Sequence, residues 1–143
     1  MRFPAIARLS LAYLCATSAL IGLTASLAPH AFYDDFPFIA HWVDLLPPYN
    51  EHLVTDVGGL YLGFAVLFAW AAAALDRVLL RAVCCAWLLT AALHLIFHAR
   101  HLDGFGTGDA VAEIGSLALL LVAPLLALWA AAPATRRPEA PQA

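Results

Sequence analysis

Lysine is absent from this chain, and residues carrying a charge of either sign make up only 12% of its 143 positions. Polar side chains are too few to build the hydrated shell that a water-soluble domain of this size needs. The seven basic residues are all Arg and form no dense patch, which excludes nucleic acid as a partner. Cysteine is scarce too. Cys15, Cys84 and Cys85 all fall in apolar stretches and form no C-x-x-C, so neither a disulfide framework nor a dithiol redox motif is expected, and the three read as reduced packing residues. The H-E-x-x-H pattern of zinc proteases is missing. The run Gly104-Phe105-Gly106-Thr107-Gly108 follows no strand and lacks the Lys of a phosphate loop, so it reads as a flexible connection.

Hydrophobic residues are what the chain has in quantity, at 64% with a mean hydropathy of +0.84. A bilayer core about 30 Å thick requires about 20 apolar residues in helical form. Four stretches meet that need, at about 6–28, 53–75, 82–98 and 110–132, and predict an all-α integral membrane four-helix bundle within a single domain, 1–132. The third is short, and reaches full length only by carrying its terminal histidines into the interface. Pro124 lies inside the fourth and should kink it, which is tolerated when a neighbour re-satisfies the freed carbonyl. The first stretch also has the Arg2, Arg8 and Ser26-Leu27-Ala28 features of a cleaved signal peptide; its length, and Pro29 directly after the small residues, favour a retained helix.

Arginine placement sets the sidedness. Arg2, Arg8, Arg77, Arg81, Arg136 and Arg137 fall on one side and only Arg100 on the other, so both termini are expected in the cytoplasm of a multi-pass cell-membrane protein. The tail 133–143, rich in Pro and Ala, reads as disordered. The long outer connection 29–50 alternates aromatics with acids and is expected at headgroup level, as an aromatic belt rather than a binding lid. Within it, Asp35-Phe36-Pro37 could open a short interfacial helix ending before Pro47-Pro48, and Asn50 is a good N-cap for the second span.

With that sidedness, all six histidines and most acids gather in the outer half. His52 and Asp56 on the second span, His94, His98 and His101 on the third, and Asp109 and Glu113 on the fourth are spaced by about one or two helical turns, so each helix presents a polar stripe. Continuing the stripe of the second span reaches Gly59 and Gly63, a G-x-x-x-G pattern that predicts an inward face; Thr90, Trp87 and Ser116 prolong the other two. Ionisable groups facing lipid cost roughly 2.5–3.5 kcal/mol near a helix centre, so these groups are expected to face one another. Imidazole with carboxylate is the ligand set of Zn, Fe or Cu, which makes His52, His94 and His98 with Asp56 and Glu113 a candidate metal site. His101, Asp103 and Asp109 are candidates for its rim, whereas His30 and His41 belong to the solvated loop. A bis-histidine haem, for example between His52 and His98, is a less favoured variant.

The segment Asp56-Val57-Gly58-Gly59-Leu60-Tyr61-Leu62-Gly63, opening a glycine-bearing second span after a long outer connection, resembles the DoxX-like group of small bacterial four-helix membrane proteins. The resemblance is one of architecture, and carries no functional residue with it. Two function classes stay open. One is an intramembrane metal-dependent enzyme acting on a lipid-soluble or small substrate. The other is a non-catalytic subunit or small-ligand binder in which the polar cluster is structural. Membrane lipids, a second copy or a membrane complex are the expected partners.

Overall fold

The computed structural model describes residues 1–46 and 48–133, and contains five helices and no strand among them. The expected disordered tail, with Arg136 and Arg137, lies outside the described residues apart from Pro133. Prolines decide where the first helices begin. α1 (Pro4–Leu27) and α2 (Pro29–Asp35) each open on a proline, whose missing N–H costs nothing in a first turn. Ala28, preceding Pro29, is held out of the helical region at φ −142° and ψ 61°, so the chain turns between the two helices. Phe36 precedes Pro37 and is extended for the same reason, ending α2 at Asp35. The short helix of the connection therefore lies before Asp35 instead of starting there, and residues 36–46 form turns and bends.

Side-chain caps start the next two helices. Asn50 Oδ1 accepts from the Leu53 N–H at 3.2 Å to open α3 (Glu51–Ala74), as its sequence position predicts. Asp76 Oδ1 accepts from the Leu79 N–H at 2.8 Å to open α4 (Arg77–Ala99). This second cap corrects the span expected at 82–98. The helix starts at Arg77 and reaches 23 residues at its arginine end, with no need to draw its histidines into an interface. After a connection through Gly104, α5 runs over Thr107–Ala130.

Helices α1, α3, α4 and α5 are each long and apolar enough to cross a membrane. They form a ring in which α1 packs on α3 and α5, and α4 packs on the same two, while the diagonal pairs do not meet. Neighbours are antiparallel. Arg8 Nε donates to the Ala72 carbonyl near the end of α3, and the Arg2 and Phe3 amides both donate to Ala130 at the end of α5. Phe3 and Ala130 thus share one end of the bundle, where Phe3 stacks on Trp129 at 5.1 Å. Leu60, Val66, Leu89, Leu119 and Trp129 are among many large apolar side chains turned outward, a surface suited to lipid.

The α1–α3 contact is the closest of the bundle. A Cβ at Gly22 would lie 2.8 Å from Leu62 Cγ, and one at Gly58 would lie 2.7 Å from the Ser26 amide nitrogen and press on Ser26 Oγ. Gly59 and Gly63 meet nothing and are exposed. The expectation that Gly59 and Gly63 mark the inward face is therefore corrected by one residue, about 100° on a helix. Gly58 is the glycine that admits the neighbouring backbone.

Packed apolar side chains fill the half of the bundle nearest Phe3 and Ala130. Leu11, Leu14, Phe68, Leu80, Trp87 and a set of alanines are its centre. Pro124 leaves the carbonyl four residues before it without a helical donor. That carbonyl, of Leu120, accepts from the buried Trp87 indole N–H at 2.9 Å, so a neighbouring helix supplies the replacement that a proline inside a span requires.

Candidate functional site

In the other half of the bundle the helices line a partly open cavity of about 450 Å³. Each long helix contributes a face at helical spacing: Tyr13 and Thr17 from α1, Val57 and Tyr61 from α3, His94 and His98 from α4, Glu113 and Leu117 from α5. The segment 29–46 forms one wall of it. Phe32 and Phe36 at the end of α2, then Trp42, Val43 and Leu46, line the same space, so this segment bounds a cavity rather than serving as an aromatic belt alone. Two polar contacts hold it in place. Trp42 Nε1 donates to Asp109 Oδ1 at 3.2 Å on the first turn of α5, and His41 Nδ1 donates to the Asp34 carbonyl at 2.8 Å. A smaller space of about 340 Å³ adjoins it and shares Phe32, Val43, Leu46 and Val57. Tyr49 borders this second space; loss of solvent, with the Glu51 and Asp34 carboxylates adding to it, holds its phenol above the ordinary tyrosine value.

The polar pole of the larger cavity is a buried pair. His98 Nδ1 and Glu113 Oε1 are 2.6 Å apart, with side chains 10% and 4% exposed. With Glu113 ionised the oxygen accepts, and the His98 nitrogen carries the hydrogen and donates it. The His94 ring meets that of His98 edge to face, with centroids 4.4 Å apart. Glu113 Oε2 is buried and has no hydrogen-bond partner.

The structure divides the candidate metal set. His94, His98 and Glu113 line the cavity together, as their facing stripes predict. His52 and Asp56 do not line it. They pair with each other at 3.3 Å, Nε2 to Oδ2, at 81% and 60% exposure. The reason is the turn of α3: its cavity face carries Val57 and Tyr61, and Asp56 stands about 100° away from Val57. Among the described residues no group of three or more His, Cys, Asp or Glu is arranged to hold a metal ion. Of the expected rim, Asp109 anchors Trp42. His101 bonds back to the Phe97 carbonyl at 2.8 Å and stacks on the Phe97 ring, and Asp103 is exposed. Thr90 is exposed and bonds to the Ala86 carbonyl of its own helix, so it does not extend the inward stripe.

Several lining residues escaped the sequence reading. Tyr13, Thr17 and Leu20 recur at one-turn spacing on α1, and Val57 and Tyr61 on α3; both stripes are visible signals of an inner face. Trp42 carried none, because its position over the cavity depends on how a non-helical segment folds back.

The fold and site define a class: a bundle of four membrane-length helices with a largely apolar cavity at one end, and a buried imidazole–carboxylate pair in its wall. No protein-family model, curated protein or solved structure matches the chain.

Proposed function

We propose that this is a multi-pass membrane protein with its arginine-rich end in the cytoplasm, whose cavity on the outer side binds a small lipid-soluble molecule. The observation that carries this reading is the cavity. Its volume lies within the roughly 300–1,000 Å³ of small-molecule sites, its walls are mainly apolar and aromatic, and its few polar groups converge on His98 and Glu113. A structural network alone gives no reason for a space of this size or for a carboxylate oxygen left unpaired beside it.

The test is saturable binding of tritiated 4-octylanisole, an apolar aromatic probe, to purified protein in phosphatidylcholine nanodiscs, against protein-free discs. Stoichiometric, saturable uptake supports the reading; uptake no greater than in empty discs overturns it. Metal analysis of the same preparation separates the other class of function. Stoichiometric Zn, Fe or Cu that is lost on His94→Ala with His98→Ala replaces the binding site by a metal centre.

A further inference from the structure

The pole of the cavity holds a buried acceptor without a partner. Glu113 Oε1 is taken by His98, whereas Oε2 faces no donor although the residue is only 3% exposed. The Ser116 hydroxyl donates to the Glu113 carbonyl at 2.8 Å and the Thr17 hydroxyl to the Tyr13 carbonyl at 3.0 Å. The Trp87 indole hydrogen is used by Leu120. Among the lining groups the Tyr13 and Tyr61 phenols and the His94 ring N–H keep a hydrogen outside these bonds, and none of the three reaches Glu113 Oε2.

Resting on the binding reading above, we infer that the ligand is an uncharged, chiefly apolar alcohol or phenol whose O–H is accepted by Glu113 Oε2. Each part of that description has a physical cause. An unpaired acceptor buried away from water is unfavourable, and a ligand hydroxyl removes the deficit where a hydrocarbon or an ether leaves it standing. Negatively charged head groups are disfavoured, because no Arg lines the cavity and the pole already holds a carboxylate. An ammonium brings a full charge and three donors into a largely apolar space, where losing its water is costly. A hydroxyl brings one. Phe32, Phe36, Trp42, Tyr13 and Tyr61 make the walls rich in rings, which suits a flat aromatic body.

The experiment compares tritiated 4-octylphenol with 4-octylanisole in the same nanodiscs, each corrected for uptake by empty discs. The pair differs only at the oxygen, where a methyl replaces the hydroxyl hydrogen. Wild-type protein should prefer the phenol by roughly tenfold or more, the scale of a hydrogen bond to a charged group. In Glu113→Gln the ratio of the two affinities, phenol over anisole, should fall below about threefold, whatever the variant's affinity for the anisole. Equal affinity of wild type for both probes overturns the inference and leaves the cavity reading standing; failure of both probes to bind overturns the cavity reading as well. A preference undiminished in a Glu113→Gln protein that still binds the anisole removes Glu113 as the acceptor. Should that variant fail to fold, the wild type alone decides. Its isotope-edited carboxylate band in the infrared difference spectrum should move on adding 4-octylphenol and not 4-octylanisole, and an unmoved band refutes the contact.

Discussion

Replacing Trp87 by Phe keeps a ring beside Tyr61, Phe64 and Phe68 but removes the only donor seen at the Leu120 carbonyl. Two costs follow. The smaller ring loses packing in a fully buried position, about 1–2 kcal/mol, and the carbonyl is left unsatisfied, roughly 1–3 kcal/mol in a protein interior. Interhelical hydrogen bonds measured within membranes run from about 0.6 to 1.7 kcal/mol, so about 1 kcal/mol is the share expected from the bond itself. Pro124→Ala separates the two costs. Alanine restores an N–H at position 124, four residues after Leu120, and the carbonyl regains a partner within its own helix. Trp87→Phe should therefore cost about 1 kcal/mol less in the Pro124→Ala background than in the wild type, the packing loss being common to both. The assay is a double-mutant cycle of reversible unfolding in mixed bicelles, followed by helical circular dichroism. Additive effects, within about 0.3 kcal/mol, would refute the claim that Trp87 replaces the hydrogen bond that Pro124 removes.

Other expectations follow from the same geometry. Gly58→Ala and Gly22→Ala should each destabilise by about 1–3 kcal/mol, since their new methyl groups meet backbone of the facing helix, while Gly59→Ala and Gly63→Ala should be neutral or stabilising by up to about 1 kcal/mol; thermal melts of the four variants decide between the two faces. His98→Ala strands a buried carboxylate and should cost roughly 3 kcal/mol or more, whereas His52→Ala breaks only an exposed pair and should cost under about 1 kcal/mol; equal losses would show that the buried pair is not special. Asp109→Ala should leave the unfolding free energy within about 0.5 kcal/mol of wild type, yet speed amide exchange across 36–46, measured by hydrogen–deuterium exchange with mass spectrometry. Tyr49→Phe removes a buried hydroxyl that has no partner and should not lower the melting temperature.

Long apolar runs and helix caps are local properties, and they were legible. The four long helices, the Asn50 cap and the need for a neighbour to serve the carbonyl before Pro124 all follow from composition, side-chain chemistry and the missing proline N–H. The start of α4 was misplaced because Arg77 and Arg81 look like loop residues in a hydropathy window. The Asp76 cap, a local signal of another kind, extends the helix through them. On α3 the polar and glycine stripes were read correctly as a periodic face, and the face was then turned the wrong way, because a helix with outward polar groups at its end has the same periodicity as one with inward groups.

By itself, then, the sequence determined the number of membrane-length helices and their approximate lengths, and it narrowed the polar face of each to one stripe. The tertiary structure alone decided the rest: that Gly22 and Gly58 bring α1 against α3, that His52 and Asp56 stand apart from the other histidines, and that 29–46 folds over a hollow end. Those outcomes depend on the rotation of each helix about its axis and on the path of a non-helical segment. Both are set by the fit between surfaces distant in sequence, and no local periodicity encodes that fit.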